Sequence, residues 1–530
     1  MVVPVGFRHR LHDMRLSQEF VRLEKAVAGL ARVKLTHSLP PFLRAPASAV
    51  PLKNRKYQLH SSKHFPVSNG NREAAPKAHS KDWILAMPKI CLVGAGSTVF
   101  ARNILSDVLS NEALSRCEIA LHDLDPDRLA TSEIMTRRIC RALGIEDEVR
   151  LVATVDRAIA LKDADFVILM MQVGGYKPAT VTDFEVPKRF GLRQTIADTL
   201  GIGGIFRALR TIPVVFAIAD DMRKHCPQAL MMNYVNPMAM ISWAMAEGYP
   251  DIRYVGLCHS VQETSQFLAR TLGEDIADID YLCAGLNHVA FFLKFEKRLP
   301  GGGRVDLYPR LRQIARDGTF PVDDAVRFAV MKHFGHFVTE SSIHFSEYTP
   351  WFIKRGREDL LEEFRLPLDE YITRCERQVA QWHELRHELE DESRPIEVSR
   401  SKEYAAAIIH ACVTGEPSLI YGNVANRGLI ENLPSNAAVE VPCHVDRNGI
   451  QPIRIGRIPV QLAAIMRSNI NVQELAVTAA LTGKREHIYH AAAMDPHTAA
   501  ELSLAEIDSL VDALIEAHGS LLPAFARAAQ

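Results

Sequence analysis

The fold is decided by the stretch Lys89-Ile90-Cys91-Leu92-Val93-Gly94-Ala95-Gly96-Ser97. It reads as a short apolar strand and a tight turn, and the chain continues from Thr98 to Ser110 with the apolar spacing of a helix. This order is half of a dinucleotide-binding fingerprint, in which Gly94 permits the sharp turn and Gly96 lets the backbone approach a pyrophosphate. Val99 stands where the G-x-G-x-x-G fingerprint has its third glycine. The alternative interpretation is therefore an ordinary strand, turn and helix that binds no nucleotide.

An acidic residue follows the second predicted strand, residues 117–122. Asp123 stands where a carboxylate accepts hydrogen bonds from an adenosine ribose and repels a 2′-phosphate, so NAD is favoured over NADP. Its alternative role is to cap a helix, but Asp125, just before Pro126, is the better cap candidate. We therefore predict that Gly94, Ala95, Gly96 and Ser97 bind NAD together with Asp123.

Strands and helices alternate after this unit. Further apolar strands are predicted at residues 165–170, 229–235 and 253–257. The alternation predicts an α/β fold with a Rossmann-like, doubly wound, mostly parallel sheet. Beyond about Pro300, long amphipathic helices mix with short strands and hairpin turns such as residues 446–449, which predicts an α+β C-terminal domain. We place the NAD-binding domain at residues 87–280 and the α+β domain, for substrate, metal and oligomerisation, at residues 281–530.

The N-terminal segment, residues 1–86, has a different composition. It carries 15 Lys and Arg against 5 Asp and Glu, with abundant Ser and Pro. Such a basic segment is predicted to be disordered. It is typical of an organelle transit peptide, but a leader translated from an upstream start looks similar, and Met87 is a plausible beginning. A dispensable extension is the preferred interpretation.

The composition excludes several functional classes. The chain has 530 residues, 47% hydrophobic, with a net charge of −1, and its part after residue 86 is acidic. The part of the chain after residue 86 has no basic stripe with interleaved aromatics, which argues against nucleic-acid binding. No unbroken apolar run approaches the roughly 18 residues of a membrane span. Nine cysteines, an odd number without framework spacing, predict free thiols in a reducing compartment, and hence a cytoplasmic protein.

A soft thiolate and an imidazole follow predicted strands in the region from Asn236 to His288. Cys258 and His288 are thirty positions apart, which excludes a zinc finger with paired ligands. Two ligands with open positions suit a catalytic metal. The alternative is that Cys258, after an apolar strand, is a small buried hydrophobe.

Several motifs in the same order carry a family resemblance. They are Val93-Gly94-Ala95-Gly96-Ser97, Gln172-Val173-Gly174-Gly175-Tyr176, Asn236-Pro237-Met238, Gly256-Leu257-Cys258-His259-Ser260, Gly285-Leu286-Asn287-His288 and Glu347-Tyr348-Thr349-Pro350-Trp351. From Met87 onward the chain resembles glycoside hydrolase family 4, and within it the members that act on α-galactosides such as melibiose. The resemblance implies NAD, a divalent metal that is usually manganese, and a homodimer or homotetramer. Family 4 is an exception to two-carboxylate glycoside hydrolysis.

The chemistry that the resemblance implies is a redox elimination. Sugar carbon C3 is oxidised by NAD, the C2 proton becomes acidic beside the new carbonyl, a base removes it, and the substituent on C1 leaves. Water then adds at C1, and NADH reduces C3, so the cycle has no net redox change.

The resemblance also implies residue roles. Cys258 and His288 would hold Mn²⁺, Tyr348 would remove the C2 proton, and Asn236 would contact substrate. An unperturbed phenol has a pKa near 10, so nearby positive charge would have to lower the pKa of Tyr348. His259 stands where relatives acting on phosphosugars carry an Asp that assists departure of the leaving group, which leaves the identity of the general acid open.

The expected substrate is an uncharged sugar. Relatives acting on 6-phosphosugars carry an Arg after the Gly-Gly-Tyr segment, whereas this chain has Lys177 to Asp183 without an Arg. We predict cleavage of terminal α-galactosides. An α-galacturonidase or α-glucosidase of the same family, an NAD-dependent 2-hydroxyacid dehydrogenase and a non-enzymatic NAD sensor are the alternatives.

Overall fold

The computed structural model describes residues 87–526, and the predictions for residues 1–86 fall outside the described residues. The strands are β1 Lys89–Val93, β2 Glu118–His122, β3 Arg150–Thr154, β4 Phe166–Leu169, β5 Leu230–Asn233, β6 Arg253–Leu257, β7 Ile279–Ala284, β8 Phe291–Arg298, β9 Arg304–Asp306, β10 Phe337–Val338, β11 Ser418–Ala425, β12 Ala438–Asp446 and β13 Gly449–Pro452.

The α-helices are α1 Thr98–Leu109, α2 Pro126–Leu143, α3 Arg157–Leu161, α4 Val181–Arg189, α5 Gly201–His225, α6 Met238–Gly248, α7 Ser260–Leu272, α8 Tyr308–Asp317, α9 Ala325–Phe334, α10 Ser342–Ser346, α11 Glu358–Glu363, α12 Glu370–Glu390, α13 Tyr404–Thr414, α14 Val460–Thr482, α15 Glu486–Met494, α16 Pro496–Glu501 and α17 Leu504–His518. Short 3₁₀ turns are Ile276–Asp278, Val322–Asp324 and Gly519–Leu521, and a π-helical turn covers Gly175–Thr180.

A nine-stranded mixed sheet organises these elements. Six parallel strands lie in the order β3-β2-β1-β4-β5-β6, which is the Rossmann order. β11 pairs antiparallel with β6 and is followed by β12 and β13, so strands from the C-terminal half extend the same sheet. A smaller antiparallel sheet contains β7, β8, β9 and β10. The predicted fold class is confirmed, and the predicted boundary near residue 280 stays a prediction.

The central strands are apolar because helices cover both faces of the sheet. Every residue of β4 is buried, and Ile90 to Val93 of β1 are buried as well. Parallel sheets with two covered faces produce such continuous apolar runs. α5 is long and apolar enough to cross a membrane, but most of its apolar window is buried inside the protein, as expected for a core helix.

Local sequence signals set the ends of several elements. Asp125 caps α2 by accepting hydrogen bonds from the backbone N–H groups of Asp127 and Arg128, which confirms the predicted cap. α2 ends at Gly144 with a left-handed φ of 69°. The hairpin turn predicted at residues 446–449 joins β12 to β13.

A buried ionic cluster ties α17 to α4 and α5. The carboxylate of Asp183 accepts from Arg210 and lies 2.9 Å from Nε2 of His518, and all three side chains are at most 3% exposed. Nε of Arg210 also donates to the carbonyl of Val173, in the loop after β4. The cluster therefore fixes this loop as well as the C-terminal helix.

Asp183→Ala is expected to lower stability by about 3 to 5 kcal/mol, because it leaves a buried guanidinium without its partner. The measurement is thermal unfolding, compared with Glu133→Ala, which removes an exposed pair with Arg137 and costs under about 1 kcal/mol. Equal melting temperatures for the two variants would contradict a stabilising role for the cluster.

Candidate active site

Three potential metal ligands meet where three strands end. Cys258 follows β6, His288 lies in the loop between β7 and β8, and Glu340 follows β10. Sγ of Cys258 lies 3.5 Å from Nε2 of His288, and Oε2 of Glu340 lies 3.2 Å from the same nitrogen. All three ligand atoms lie within 4.8 Å of one another. The structure thus brings the two predicted ligands together and adds a carboxylate.

The loop that carries His288 is fixed by its backbone. His288 has a φ of 67°, a left-handed conformation that costs a residue with a side chain roughly 1 kcal/mol. Gly285 exchanges two backbone hydrogen bonds with Glu440 of β12, at 3.0 and 2.8 Å. A Cβ at Gly285 would lie 2.8 Å from the backbone Cα of Ala290, so glycine is needed for this close approach.

The hydroxyl of Tyr348 contacts the other nitrogen of the same imidazole. Tyr348 is fully buried, and its oxygen lies 3.1 Å from Nδ1 of His288. Burial raises the pKa of Tyr348 well above its usual value, and the charges of Asp198, Glu347 and Glu340 raise it further. From the sequence, positive charge is expected to lower the pKa of Tyr348, whereas burial and the carboxylates among the described residues act in the opposite direction.

The imidazole and the carboxylate of the ligand cluster shift each other's pKa in opposite directions. Burial alone would lower the pKa of His288, but Glu340 and Cys258 raise it to about 10. Burial alone would raise the pKa of Glu340, but His288 and His344 lower it to about 2. A carboxylate with so low a pKa is ionised at neutral pH, as a metal ligand must be.

Glu347 holds a loop from the Rossmann half beside Tyr348. Its buried carboxylate accepts hydrogen bonds from the backbone N–H groups of residues 195–197, at 2.8 to 3.2 Å. Burial raises the pKa of Glu347 to about 7, although these donors oppose the shift. The same loop positions Asp198, whose Oδ2 accepts from Nδ2 of Asn236 at 3.2 Å. The predicted substrate residue Asn236 is therefore held by a buried carboxylate.

His259 points to a different partner. Its Nδ1 lies 3.3 Å from Oε2 of Glu403, and its side chain is 42% exposed. The hydrogen bond with Glu403 raises the pKa of His259 to about 9, so the imidazole carries a proton at neutral pH. The ring of Phe100, in the first turn of α1, lies 6.4 Å from that of His259. His259 therefore lies between the metal-ligand candidates and the glycine turn.

The predicted nucleotide residues occupy the carboxyl ends of β1 and β2. Gly94 has a φ of 92°, and a Cβ there would lie 2.7 Å from the backbone nitrogen of Met171. The N–H of Gly96 donates to Oδ2 of Asp123 at 2.7 Å. Within residues 87–526, no side chain caps the N-terminus of α1 after Ser97. Free N–H groups at a helix N-terminus suit a phosphate.

Sequence reasoning missed Glu340, Glu403 and the support given by Glu347. Glu347 was visible as the neighbour of Tyr348 in a motif. Glu340 lies 52 residues after His288, and Glu403 lies in a segment without a recognisable motif. Only long-range packing, of β10 against β8 and α7 and of α13 against α1 and β11, brings them to the site.

Known glycosidases resemble this chain over most of its length. The chain is 48% identical over 440 residues to an alpha-galactosidase of Bacillus subtilis (strain 168), covering 83% of this chain and 100% of that protein. It is 36% identical to an alpha-galactosidase of Rhizobium meliloti (strain 1021), covering 84% and 91%. A 6-phospho-alpha-glucosidase from gut microorganisms, solved in complex with NAD and Mn²⁺, shares the fold with a TM-score of 0.69 at 21% identity, covering 83% and 100%.

Two family models cover most of the described residues. The model of family 4 glycosyl hydrolases matches residues 89–274, and the model of the family 4 C-terminal domain matches residues 283–498. With the resemblance of its motifs confirmed in this way, the chain belongs to family 4 of the glycosyl hydrolases.

Proposed function

We propose that the protein is an α-galactosidase that hydrolyses terminal α-galactosides with NAD and a divalent metal. One observation carries the proposal: His288 contacts the ligand candidates Cys258 and Glu340 through Nε2, and the base candidate Tyr348 through Nδ1. Two relatives that match over most of this chain are alpha-galactosidases, which supports the choice of sugar.

The residues at the carboxyl end of β1 fit NAD. A side chain at Gly96 would collide with the carboxylate of Asp123, 2.7 Å away, so glycine allows this carboxylate to lie against the turn. The N-terminus of α1 offers backbone donors to the pyrophosphate, and Asp123 offers acceptors to a ribose. The same carboxylate disfavours a 2′-phosphate.

The cluster of Cys258, His288 and Glu340 fits a divalent metal. Its ligand set joins a thiolate, an imidazole and a carboxylate, and the carboxylate favours manganese over softer ions. The second nitrogen of His288 is held by Tyr348, which is the outer-shell contact typical of a metal-bound histidine. Three protein ligands leave coordination positions for substrate oxygens.

Tyr348 would remove the C2 proton. Bound NAD would accept a hydride from C3 and the metal would polarise the neighbouring sugar oxygens. When Nε2 of His288 is a ligand, the neutral imidazole carries its proton on Nδ1, and that N–H donates to the oxygen of Tyr348 at 3.1 Å. A hydrogen bond to the phenolate lowers the pKa of Tyr348 toward the working range of a base.

His259 would protonate the leaving oxygen on C1. It follows Cys258 directly, and Glu403 holds its ring at 3.3 Å. Glu403 acts as a positioning residue, since it fixes the imidazole in one orientation while Nε2 stays available to the leaving group. This assignment fills the role that the sequence left open.

The site favours an uncharged sugar. Asp198 is only 8% exposed, and its charge acts on both His288 and Tyr348, so an anionic sugar group beside it would be repelled. Arg207, whose guanidinium lies 3.8 Å from the carboxylate of Asp198, neutralises part of this charge.

All nine cysteines are free, which supports a cytoplasmic location. Assembly as a homodimer or homotetramer stays a prediction.

The decisive experiment is a substrate panel with and without each cofactor. We expect cleavage of p-nitrophenyl α-galactoside only when NAD, Mn²⁺ and a thiol reductant are all present, with faster turnover than on the α-glucoside or the α-galacturonide. Undiminished turnover in a preparation free of NAD and metal would overturn the mechanism. Net production of NADH from a 2-hydroxyacid would favour the dehydrogenase alternative.

Removing a ligand is expected to weaken metal binding. Cys258→Ser and Glu340→Gln should each raise the dissociation constant for Mn²⁺ at least about tenfold, because each removes a charged ligand. The measurement is the electron paramagnetic resonance signal of free Mn²⁺ during titration of reduced protein. Glu274→Gln, which removes a carboxylate paired with Lys297 and Arg310 outside the cluster, is the matched control. Wild-type affinity in a Cys258→Ser/His288→Ala double variant would exclude this metal site.

Tyr348→Phe is expected to lower kcat by about 100-fold or more, as for loss of a general base. It should also abolish solvent deuterium incorporation at C2 of the galactose product, which the wild type shows. Tyr489→Phe, on α15, tests for a general effect of losing a phenol. Full exchange at C2 in Tyr348→Phe would assign the base elsewhere.

A further inference from the structure

Helix α12, from the C-terminal half of the chain, contacts the nucleotide-binding half beside the glycine turn. It packs against α2, and the ring of Trp382 covers the guanidinium of Arg128, whose Cζ lies 4.1 Å from the ring centroid. Arg128 lies in the first turn of α2, and its Nη1 donates to the carbonyl of Gly96 at 3.1 Å. The guanidinium therefore lies between the glycine turn and an aromatic ring of α12.

Polar contacts at both ends hold α12 in this position. Only two of its 21 residues are buried, so apolar packing contributes little to holding it. At its start, the N–H of Tyr371 donates to the carbonyl of Thr195 at 3.1 Å. At its end, Nη1 of Arg138 donates to the carbonyls of residues 388 and 389, at 2.8 and 2.6 Å. Trp382 thus lies on a helix whose two ends are attached to the nucleotide-binding half.

The guanidinium of Arg128 lies on the adenosine side of the glycine turn. In this fold the pyrophosphate rests on the N-terminus of α1, whereas the acidic residue after β2 binds the ribose of the adenosine. That residue is Asp123, whose Oδ2 accepts from the N–H of Gly96, while the carbonyl of Gly96 accepts from Arg128. A base attached to the ribose at Asp123 is therefore within reach of the guanidinium.

The surroundings of this position suit a neutral ring. Leu124 and Val155 follow β2 and β3 and are 84% and 55% exposed. The two strands pair in parallel up to their last residues, so both side chains lie at the same edge of the sheet. Asp123, Asp125 and Asp127 add negative charge there, which disfavours a phosphate. An apolar, aromatic base is the better match.

The guanidinium has one covered face and one that remains accessible. Trp382 covers the first, and the side chain of Arg128 is still 40% exposed. Its contact with the carboxylate of Asp125 is long, with Nε 3.9 Å from Oδ2, so the plane of the guanidinium is set mainly by Gly96 and Trp382. A planar guanidinium stacks on aromatic rings and on nucleic-acid bases. Arg128 therefore offers a base a flat surface that is already oriented.

We propose that the adenine of NAD stacks on the accessible face of Arg128, so that the guanidinium lies between the base and Trp382. The C-terminal half then contributes to cofactor binding through α12, in addition to the glycine turn and Asp123. The inference rests on the proposed use of NAD and adds the residues that bind the adenine.

The test measures the dissociation constant for NAD by isothermal titration calorimetry of the full chain with Mn²⁺. Arg128→Lys is the deciding variant, because it keeps the charge and removes the plane. We expect Arg128→Lys and Arg128→Ala to raise the dissociation constant about fivefold to tenfold, as for one lost stacking contact with a base. Trp382→Leu should raise it about threefold, since the guanidinium loses its support. Wild-type affinity in any of these three variants would overturn the stacked arrangement.

Two controls separate base binding from folding. Arg137→Lys changes an exposed arginine of the same helix, paired with Glu133, and should leave the dissociation constant for NAD at the wild-type value. The affinity for Mn²⁺ should stay at the wild-type value in the variants of Arg128 and Trp382, which contribute no atom to the ligand cluster. A parallel loss of Mn²⁺ affinity would assign both side chains to the fold and overturn the proposal. If the wild type binds no NAD, the proposed function and the stacked arrangement fail together.

Discussion

The imidazole of His288 is the constraint on which the site depends. Its two nitrogens serve different partners, with Cys258 and Glu340 on Nε2 and Tyr348 on Nδ1. Because the ring is rigid, the distance between the metal-ligand candidates and the base candidate is set by one side chain. Its left-handed backbone and the bridge from Gly285 to β12 hold that ring in place.

The two halves of the chain build this arrangement together. Cys258 follows the last parallel strand, β6, and β11 pairs with that strand through Gly422 and Asn423. Nδ2 of Asn423 donates both to the carbonyl of Gly256 and to the buried carboxylate of Glu440. Glu440 in turn accepts from Asn287, the neighbour of His288. The C-terminal strands thus connect the end of β6 to the loop that carries the imidazole.

Local sequence signals were enough for the Rossmann half and for part of the site. A glycine turn after an apolar strand and the cap at Asp125 depend on neighbouring residues, so a linear sequence contains them. The proximity of Cys258 and His288 followed from motifs shared with a family. Glu340 and Glu403 could not be predicted, because they approach the site only through long-range packing. The charges around Tyr348 were only partly visible in the sequence, because Glu347 is its chain neighbour whereas Asp198 comes from a distant segment.

The charges around the site explain why a cation belongs there. Glu347 is compensated by three backbone N–H groups, and Asp198 by Asn236, Thr199 and Arg207. Glu340, with a side chain 12% exposed, has two histidines and its own loop as partners. Those histidines serve as compensating charges only when protonated, whereas a ligating imidazole must be neutral. A divalent ion held by Cys258, His288 and Glu340 would satisfy both demands, since it would balance the carboxylate and take the place of a proton on Nε2 of His288.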